Sequence, residues 1–244
     1  MLIYIAVKSA VWRWTVLIAE LLNKLKKVNI GNVLKKRLYK IPGKYRLSLL
    51  NSQKRNLVNS NFTILSNNCI GGIIYKDLGI TFTSPTINLF FFAPDYIRFL
   101  SKLDYYLSVK LKSACKSKYG KFRYPVGMLD DLEIHFVHYV SFEEAEQKWE
   151  TRKKRVNKDN IFIIGSDRDL CTPAIIEAFN NLPYENKIFL SSKSYPELRS
   201  VVWLKKYKNC KEIPDIIPAR EWLKYIDLIA WLNKEKNFIK AKLH

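Results

Sequence analysis

The sequence predicts an α/β fold, a Rossmann-like parallel or mixed sheet flanked by helices, preceded by a basic helical extension. Three observations carry this. Short apolar runs of strand length, Phe62–Leu65 and Ile161–Ile164, stop abruptly at polar clusters, Ser66-Asn67-Asn68-Cys69 and Gly165-Ser166-Asp167-Arg168-Asp169. Such runs suit strands buried on both faces. Segments with helical spacing and capping residues lie between the runs, and alternation of strands and helices favours a parallel or mixed sheet. Basic charge is concentrated ahead of the first run. Residues 1–60 carry 13 Lys/Arg and a single acid, Glu20, whereas the rest of the chain is only mildly basic.

The elements follow in order. Phe62–Leu65 reads as a strand. Gly71-Gly72 opens a short helix through Asp77, ended by Gly79. Thr81–Thr86 is a loop and Asn88–Phe92 a buried apolar run. Pro94 stands at a first helical position, and Tyr96, Ile97, Phe99, Leu100, Leu103, Tyr106 and Leu107 recur with helical spacing. Arg123–Met128 and Leu132–Tyr139 flank Leu129-Asp130-Asp131 as a hairpin. In its second arm Leu132, Ile134, Phe136 and His138 fall on one face, and Glu133, His135, Val137 and Tyr139 on the other. Ser141-Phe142-Glu143-Glu144 is a capping box for a helix through Arg155. Ile161–Ile164 is a strand, Thr172-Pro173 starts a helix, and Lys187–Leu190 is a further strand. Pro218 to Trp231 reads as a final amphipathic helix.

A length of 244 residues with 48% hydrophobic and 14% aromatic content supports a real core. The boundary is placed at the drop in basic density, giving a 1–60 extension and a 61–244 α/β domain. The extension is apolar up to Asn23, with Trp12 and Trp14, but Lys8, Arg13 and Glu20 interrupt it. Its uncharged stretches fall short of the roughly 18–20 residues of a spanning helix. Apolar residues followed by Lys24, Lys26, Lys27, Lys35, Lys36 and Arg37 suit a segment lying on an anionic membrane surface. The competing reading is a helical arm packed on its own domain. Net charge of +20 is compatible with nucleic acid, but no helix-turn-helix, RNA-recognition or zinc-finger pattern accompanies it, so nucleic acid is not an expected partner. Cys69, Cys115, Cys171 and Cys210 are widely spaced, as free thiols of a reducing cytoplasm are.

In open α/β sheets ligands bind where parallel strands end, so the two polar corners are where chemistry is expected. Ser66 is a candidate nucleophile, with capping of the next helix as its plainer role. Asn67 and Asn68 can offer amide donors to an oxyanion, and Gly71-Gly72 can let backbone N–H groups approach an anion. Cys69, at a helix start, would have its pKa lowered, though an inert thiol is the plainer reading. His135 and His138 are candidate general bases. Three apart on a strand, they point to opposite sides, so one at most serves a given pocket, and His138 is preferred. No metal-ligand spacing of histidines occurs and no metal is assigned. Arg168 suits a two-pronged grip on a carboxylate or phosphate, while Asp167 and Asp169 can orient a histidine or bind sugar hydroxyls. Asp-Arg-Asp also has the spacing of the metal-bridging pair of nucleotide-sugar glycosyltransferases.

Several segments together carry a resemblance. They are Ser66-Asn67-Asn68-Cys69 with Gly71-Gly72, Ser84-Pro85-Thr86 running into Leu89-Phe90-Phe91, and Tyr124-Pro125-Val126-Gly127. Glu133-Ile134-His135-Phe136 with His138-Tyr139, Trp149 with Arg152-Lys153-Lys154-Arg155, and Ser166-Asp167-Arg168-Asp169 complete the set. Over about residues 61 to 195 their order and spacing resemble a bacterial family called domain of unknown function nineteen-nineteen. Its members are commonly labelled exopolysaccharide biosynthesis proteins. The resemblance implies an α/β fold and a setting among capsule or exopolysaccharide genes, and supplies no established reaction. Its motif segments map to the Ser66–Gly72 turn, the His135–Tyr139 strand and the Ser166–Asp169 turn. Family members often carry an aromatic residue after the cysteine, where Ile70 stands here. The family's label also resembles that of capsule acetyltransferases with an Asn-Cys turn after the first strand, a likeness that carries weight only as analogy.

The expectation is therefore a cytoplasmic enzyme, peripheral at the inner face of the membrane, that transfers an acyl (acetyl) group to a sugar hydroxyl. Its partners would be a sugar or polysaccharide precursor and, through residues 1–60, an anionic membrane surface. The sequence does not fix a cofactor, and acyl-coenzyme A is the donor that fits. The Ser66–Cys69 turn would bind the acyl carbonyl, His138 or His135 would deprotonate the hydroxyl, and Arg168 with Asp167 and Asp169 would hold the donor or the sugar. A glycosyl- or phosphosugar transferase using the Asp-Arg-Asp turn and a non-catalytic membrane-docked scaffold are the alternatives.

Overall fold

The computed structural model describes the backbone of residues 32–240 and the side chains from residue 43 onward. Residues 1–31, which include most of the apolar segment assigned to a membrane surface, lie outside the described residues.

Four parallel strands form the main sheet: β1 (Thr63–Ser66), β5 (Ile161–Ser166), β6 (Asn186–Ser191) and β7 (Val201–Trp203), side by side in that order. Alternate side chains leave opposite faces, so each strand feeds two cores. Ile64, Phe162, Ile164, Ile188 and Leu190 pack into one with Trp222 and Trp231. Leu65, Ile161, Ile163 and Phe189 pack into the other with Phe99, Trp149 and Phe179. Burial on both faces is why these strands read as continuous apolar runs. Gly165 is required here, because a Cβ would run into the Phe189 ring stacked across the neighbouring strand.

After β1, helix α2 (Ile70–Leu78) ends where Gly79 turns left-handed at φ 66°. The chain then adds a whole layer before returning to β5. Helices α3 (Ala93–Ser101) and α4 (Leu103–Ser108) lead into a second, antiparallel sheet of β2 (Lys112–Ser113), β3 (Val126–Leu129) and β4 (Leu132–His135). The predicted hairpin is present, with Leu129 opposite Leu132 and Asp130 left-handed at φ 55°. Its second arm ends sooner than the alternation predicts. The Val137 N–H bonds to His135 O and the Tyr139 N–H to Phe136 O, at 3.1 and 3.2 Å. This turn rotates His138 out to solvent and Tyr139 into the core, while His135 is fully buried. Helix α5 (Phe142–Lys153) is capped by Ser141 as predicted, and α6 (Pro173–Asn180) by Thr172.

Two expectations change. The single helix from Pro218 to Trp231 is instead a 3₁₀ turn, Glu221–Lys224, and a short helix, α7 (Leu228–Leu232). Asp227 interrupts it, its carboxylate accepting the Ile229 and Ala230 N–H groups at 3.1 Å as a new cap. The 60/61 boundary is also crossed by packing. Helix α1 (Asn32–Gln53) buries Leu50 in the first core and pairs Arg46 with Glu221 at 3.4 Å. Arg46 also donates to Ala219 O. Gly43 lets this helix approach the Pro218 carbonyl, whose position a Cβ would invade. Among the described residues no helix is long and apolar enough to cross a membrane.

Because Leu50 is 3% exposed inside this core, Leu50→Ala should lower the free energy of unfolding by about 3 kcal/mol in urea titrations. An unchanged midpoint would mean that the helix does not contribute to the folded domain.

Candidate active site

The first polar corner is built by its own hydrogen bonds. Ser66 Oγ donates to Asn68 O at 2.6 Å and accepts the Gly71 N–H at 3.1 Å. Asn68 Oδ1 accepts the Ile70 N–H at 3.0 Å. A Cβ on Gly71 would stand 2.7 Å from Ser66 Oγ, so the serine and the glycine require each other. Gly72 packs against Ile87. The hydroxyl proposed from sequence as a nucleophile is thus 0% exposed and holds the turn. Gly71 and Gly72 likewise shape the turn and line no cleft. What the corner displays is Asn68 and Cys69.

The second corner is tied to the first through Ser166. Its Oγ accepts the Asn67 and Asn68 amides, both at 3.2 Å. Asp167 faces away from the cleft and binds three groups of this chain. Its Oδ2 accepts from Ser192 N–H at 2.6 Å and Ser191 Oγ at 3.2 Å, and its Oδ1 accepts from Ile213 N–H at 2.9 Å. Sequence reasoning gave it a catalytic role and a share in a metal-bridging pair. The structure makes it the clamp that carries the loop at Ile213 to the end of the sheet. Arg168 continues the same attachment by donating to Ile213 O at 3.3 Å. Asp169 and Leu170 are both left-handed, at φ 59° and 67°. Consecutive non-glycine residues in that region are strained, and the Asp169 carbonyl is held by the Ala93 N–H at 2.9 Å.

The histidine segment arrives through backbone pairing. Asn67 O accepts the Phe91 N–H at 3.0 Å, and Phe90 exchanges two 2.9 Å bonds with His135. The result is one open cleft of about 310 Å³ at the ends of β1 and β5. Asn68, Cys69, His138, Arg168 and Asp169 line it, with Phe90 and Val137 on one wall and the Ile213–Ile217 loop on the other. Of the residues selected from sequence, these five are brought together. Ser66, Asn67, Gly71, Gly72 and Asp167 support the cleft without lining it. Phe90 and Asp215 were not singled out. Nothing in Ile213-Pro214-Asp215-Ile216-Ile217 marks a site before the Asp167 clamp places it there.

The electrostatics decides between the two readings of Cys69. Burial, with the charge of Asp215 adding to it, pushes the Cys69 thiol up to about 11, so at neutral pH it is a thiol and not a thiolate. The helix start does not overcome that desolvation. Burial also pushes the Asp169 carboxyl above its usual range, opposed by Arg168 and assisted by Glu212.

His135 is the second candidate base, and it does not reach the cleft. It lies under Phe90, ring centroids 4.7 Å apart, enclosed by Phe92, Phe122 and Tyr124. Its Nε2 is 3.4 Å from Glu133 Oε2, and neither ring nitrogen makes a well-formed hydrogen bond. Burial brings its pKa down to about 4, against an upward pull from Glu133 and Asp95. Among the described residues no group of three or more His, Cys, Asp and Glu is arranged to hold a metal ion.

Two predictions follow from this geometry. Asp167→Ala leaves the Ser192 and Ile213 N–H groups without their acceptor and should cost about 3 kcal/mol. Faster hydrogen exchange at Ile213 should accompany that loss, and a protected Ile213 amide would refute the clamp. For His135 the unfolded state binds a proton near pH 6.5 and the folded state only near 4. The unfolded state therefore binds more protons between those values, so stability rises with pH through that window, by about 3 kcal/mol, and is lost as the pH is lowered from 6.5 to 4. His135→Phe should flatten that part of the stability profile.

The family model described as Domain of unknown function (DUF1919) matches residues 44–233. A Haemophilus influenzae (strain Rd) protein carrying the name "Uncharacterized protein" is 38% identical over 185 residues, covering 74% of this chain and 88% of that protein.

Proposed function

The chain belongs to the DUF1919 family, and from the geometry of its cleft we propose that it is a transferase of cell-surface polysaccharide assembly that moves an acyl group to a sugar hydroxyl. One observation carries this reading: the strand-end cleft gathers a solvent-reachable histidine, an arginine, two carboxyl groups, an amide and an aromatic ring. That set suits a sugar. Carboxyl and amide groups exchange hydrogen bonds with hydroxyls, and the half-buried Phe90 ring offers an apolar surface to a sugar face.

In this reading the acyl group arrives as a thioester such as acyl-coenzyme A. A ring nitrogen of His138 removes the proton from the acceptor hydroxyl as that oxygen bonds to the acyl carbon. The tetrahedral adduct collapses to the ester and expels the thiolate, which takes the proton back from the imidazolium. Arg168 faces the anionic part of the donor. Direct transfer is preferred to a covalent enzyme intermediate, since Ser66 is buried and Cys69 is a protonated thiol. The 13 Lys/Arg of residues 1–60 support a working position against the anionic inner face of the membrane.

His138→Gln should reduce acetyl transfer from acetyl-coenzyme A to isolated polysaccharide by roughly 100-fold or more. Its melting temperature should be unchanged, because His138 is exposed. Arg168→Gln should raise KM for the donor more than it lowers kcat. Full activity in the His138 variant would exclude the general-base assignment.

A further inference from the structure

A second cavity, of about 380 Å³, lies against the outer edge strand β7, apart from the cleft. Its lining is unlike that of the cleft. Four cations, Arg199, Lys205, Lys224 and Lys240, surround it together with Trp203 and Tyr225, and no carboxylate among the described residues lines it. Its volume falls within the usual range for small-molecule sites, about 300–1,000 Å³.

The charge here is not balanced by the protein. Arg199 and Lys205 make no ion pair among the described residues. Lys224 has Glu221 at 3.2 Å, but that carboxylate is shared with Arg46 and Lys206 at 3.4 and 3.5 Å. Lys240 donates to the neutral Leu223 carbonyl at 2.7 Å, and the carboxylate that acts on it, Asp227, makes no ion pair with it. Burial lowers the pKa of both Lys224 and Lys240. Partly desolvated cations without enough counter-charge cost stability, and a bound anion would offset that cost.

The aromatic groups define the rest of the ligand. The Trp203 indole N–H is committed to Ser192 O at 3.1 Å, which fixes the ring on the edge strand. Tyr225 is held at both ends, its carbonyl accepting the Lys240 N–H at 2.8 Å and its hydroxyl bonded to the Lys206 backbone. Fixed aromatic faces next to four cations match a ligand with a flat ring at one end and a compact multiple negative charge at the other.

We propose that this cavity binds a nucleoside diphosphate, with the diphosphate among Arg199, Lys205, Lys224 and Lys240 and the base against Trp203 and Tyr225. The inference is independent of the acyl-transfer reading, because it uses none of the cleft residues.

Uridine diphosphate and adenosine diphosphate, titrated calorimetrically into the full chain, test it. The double variant Arg199→Gln/Lys205→Gln is the probe of choice, because both side chains are exposed and unpaired, so its melting temperature without ligand should match the parent chain. At least one of the two nucleotides should bind, and at least tenfold more weakly to the double variant. Inorganic pyrophosphate should bind more weakly than that nucleotide, and Arg168→Gln should leave nucleotide affinity intact. The proposal is overturned if neither nucleotide binds or if the double variant binds as well as the parent. It is equally overturned if Arg168→Gln abolishes binding, which would place the anion in the cleft, or if geranyl diphosphate binds while both nucleotides do not, which would make the ligand a lipid phosphate.

Discussion

The Asp167 carboxylate is the constraint on which the strand-end region depends. It is 8% exposed, and a buried anion is tolerated only when donors replace the water it has lost. Here those donors come from two separate places, Ser191 and Ser192 at the end of β6 and the backbone of Ile213. Satisfying the charge therefore folds the Ile213–Ile217 loop back over the sheet. That loop becomes one wall of the cleft and carries Asp215 into it. Charge-assisted bonds of this sort are about twice as strong as neutral ones. An acid that looked catalytic in the sequence thus acts as an architectural group, and the residue beside it, Arg168, is left facing the cavity.

The main sheet also explains why the cleft has the walls it has. Its strands run β1, β5, β6, β7 across the sheet, in chain order, without the reversal that opens a crevice in doubly wound folds. The cleft is closed by additions instead. On one side stands the layer inserted between β1 and β5, which supplies Phe90, Val137 and His138. On the other stands the clamped loop. The Asn67 and Asn68 amides on Ser166 hold the two strand ends in register between them. The cavity at β7 has a different origin. It lies where the sheet ends, and its cations come from the two segments flanking β7, from the Glu221–Lys224 turn and from the last described residue, Lys240. The two sites therefore differ in charge because they are assembled from different parts of the chain.

Much of the scaffold was legible in the sequence because its signals are local. Apolar runs ending at polar clusters gave β1, β5 and β6, since a strand buried on both faces has no polar side to display. Ser141, Thr172 and Gly79 marked helix ends through bonds or dihedrals that span a few residues. The errors fall where a distant partner decides. His138 was placed on an inward strand face because alternation continues past His135, but the turn at Phe136–Tyr139 ends the strand. The Pro218–Trp231 pattern suits a helix, yet Asp227 caps a new one and Arg220 pairs with Asp77. For Cys69 the sequence left an acidified thiolate and an inert thiol open, and burial beside Asp215, which no local pattern shows, decides for the inert thiol.

By itself the sequence determined the fold class, the strand ends where polar groups collect, and the identity of both corners, because periodicity and capping are properties of neighbouring residues. Only the tertiary structure decided which side chains face the cleft. Ser66 and Asp167 carry reactive atoms, but their partners, Gly71 nearby and Ile213 some 46 positions away, absorb those atoms into the framework. Asn68, Cys69, His138, Arg168 and Asp169 remain on the cavity surface. Whether a polar side chain is structure or site depends on which groups reach it in three dimensions, and no local pattern encodes that distance.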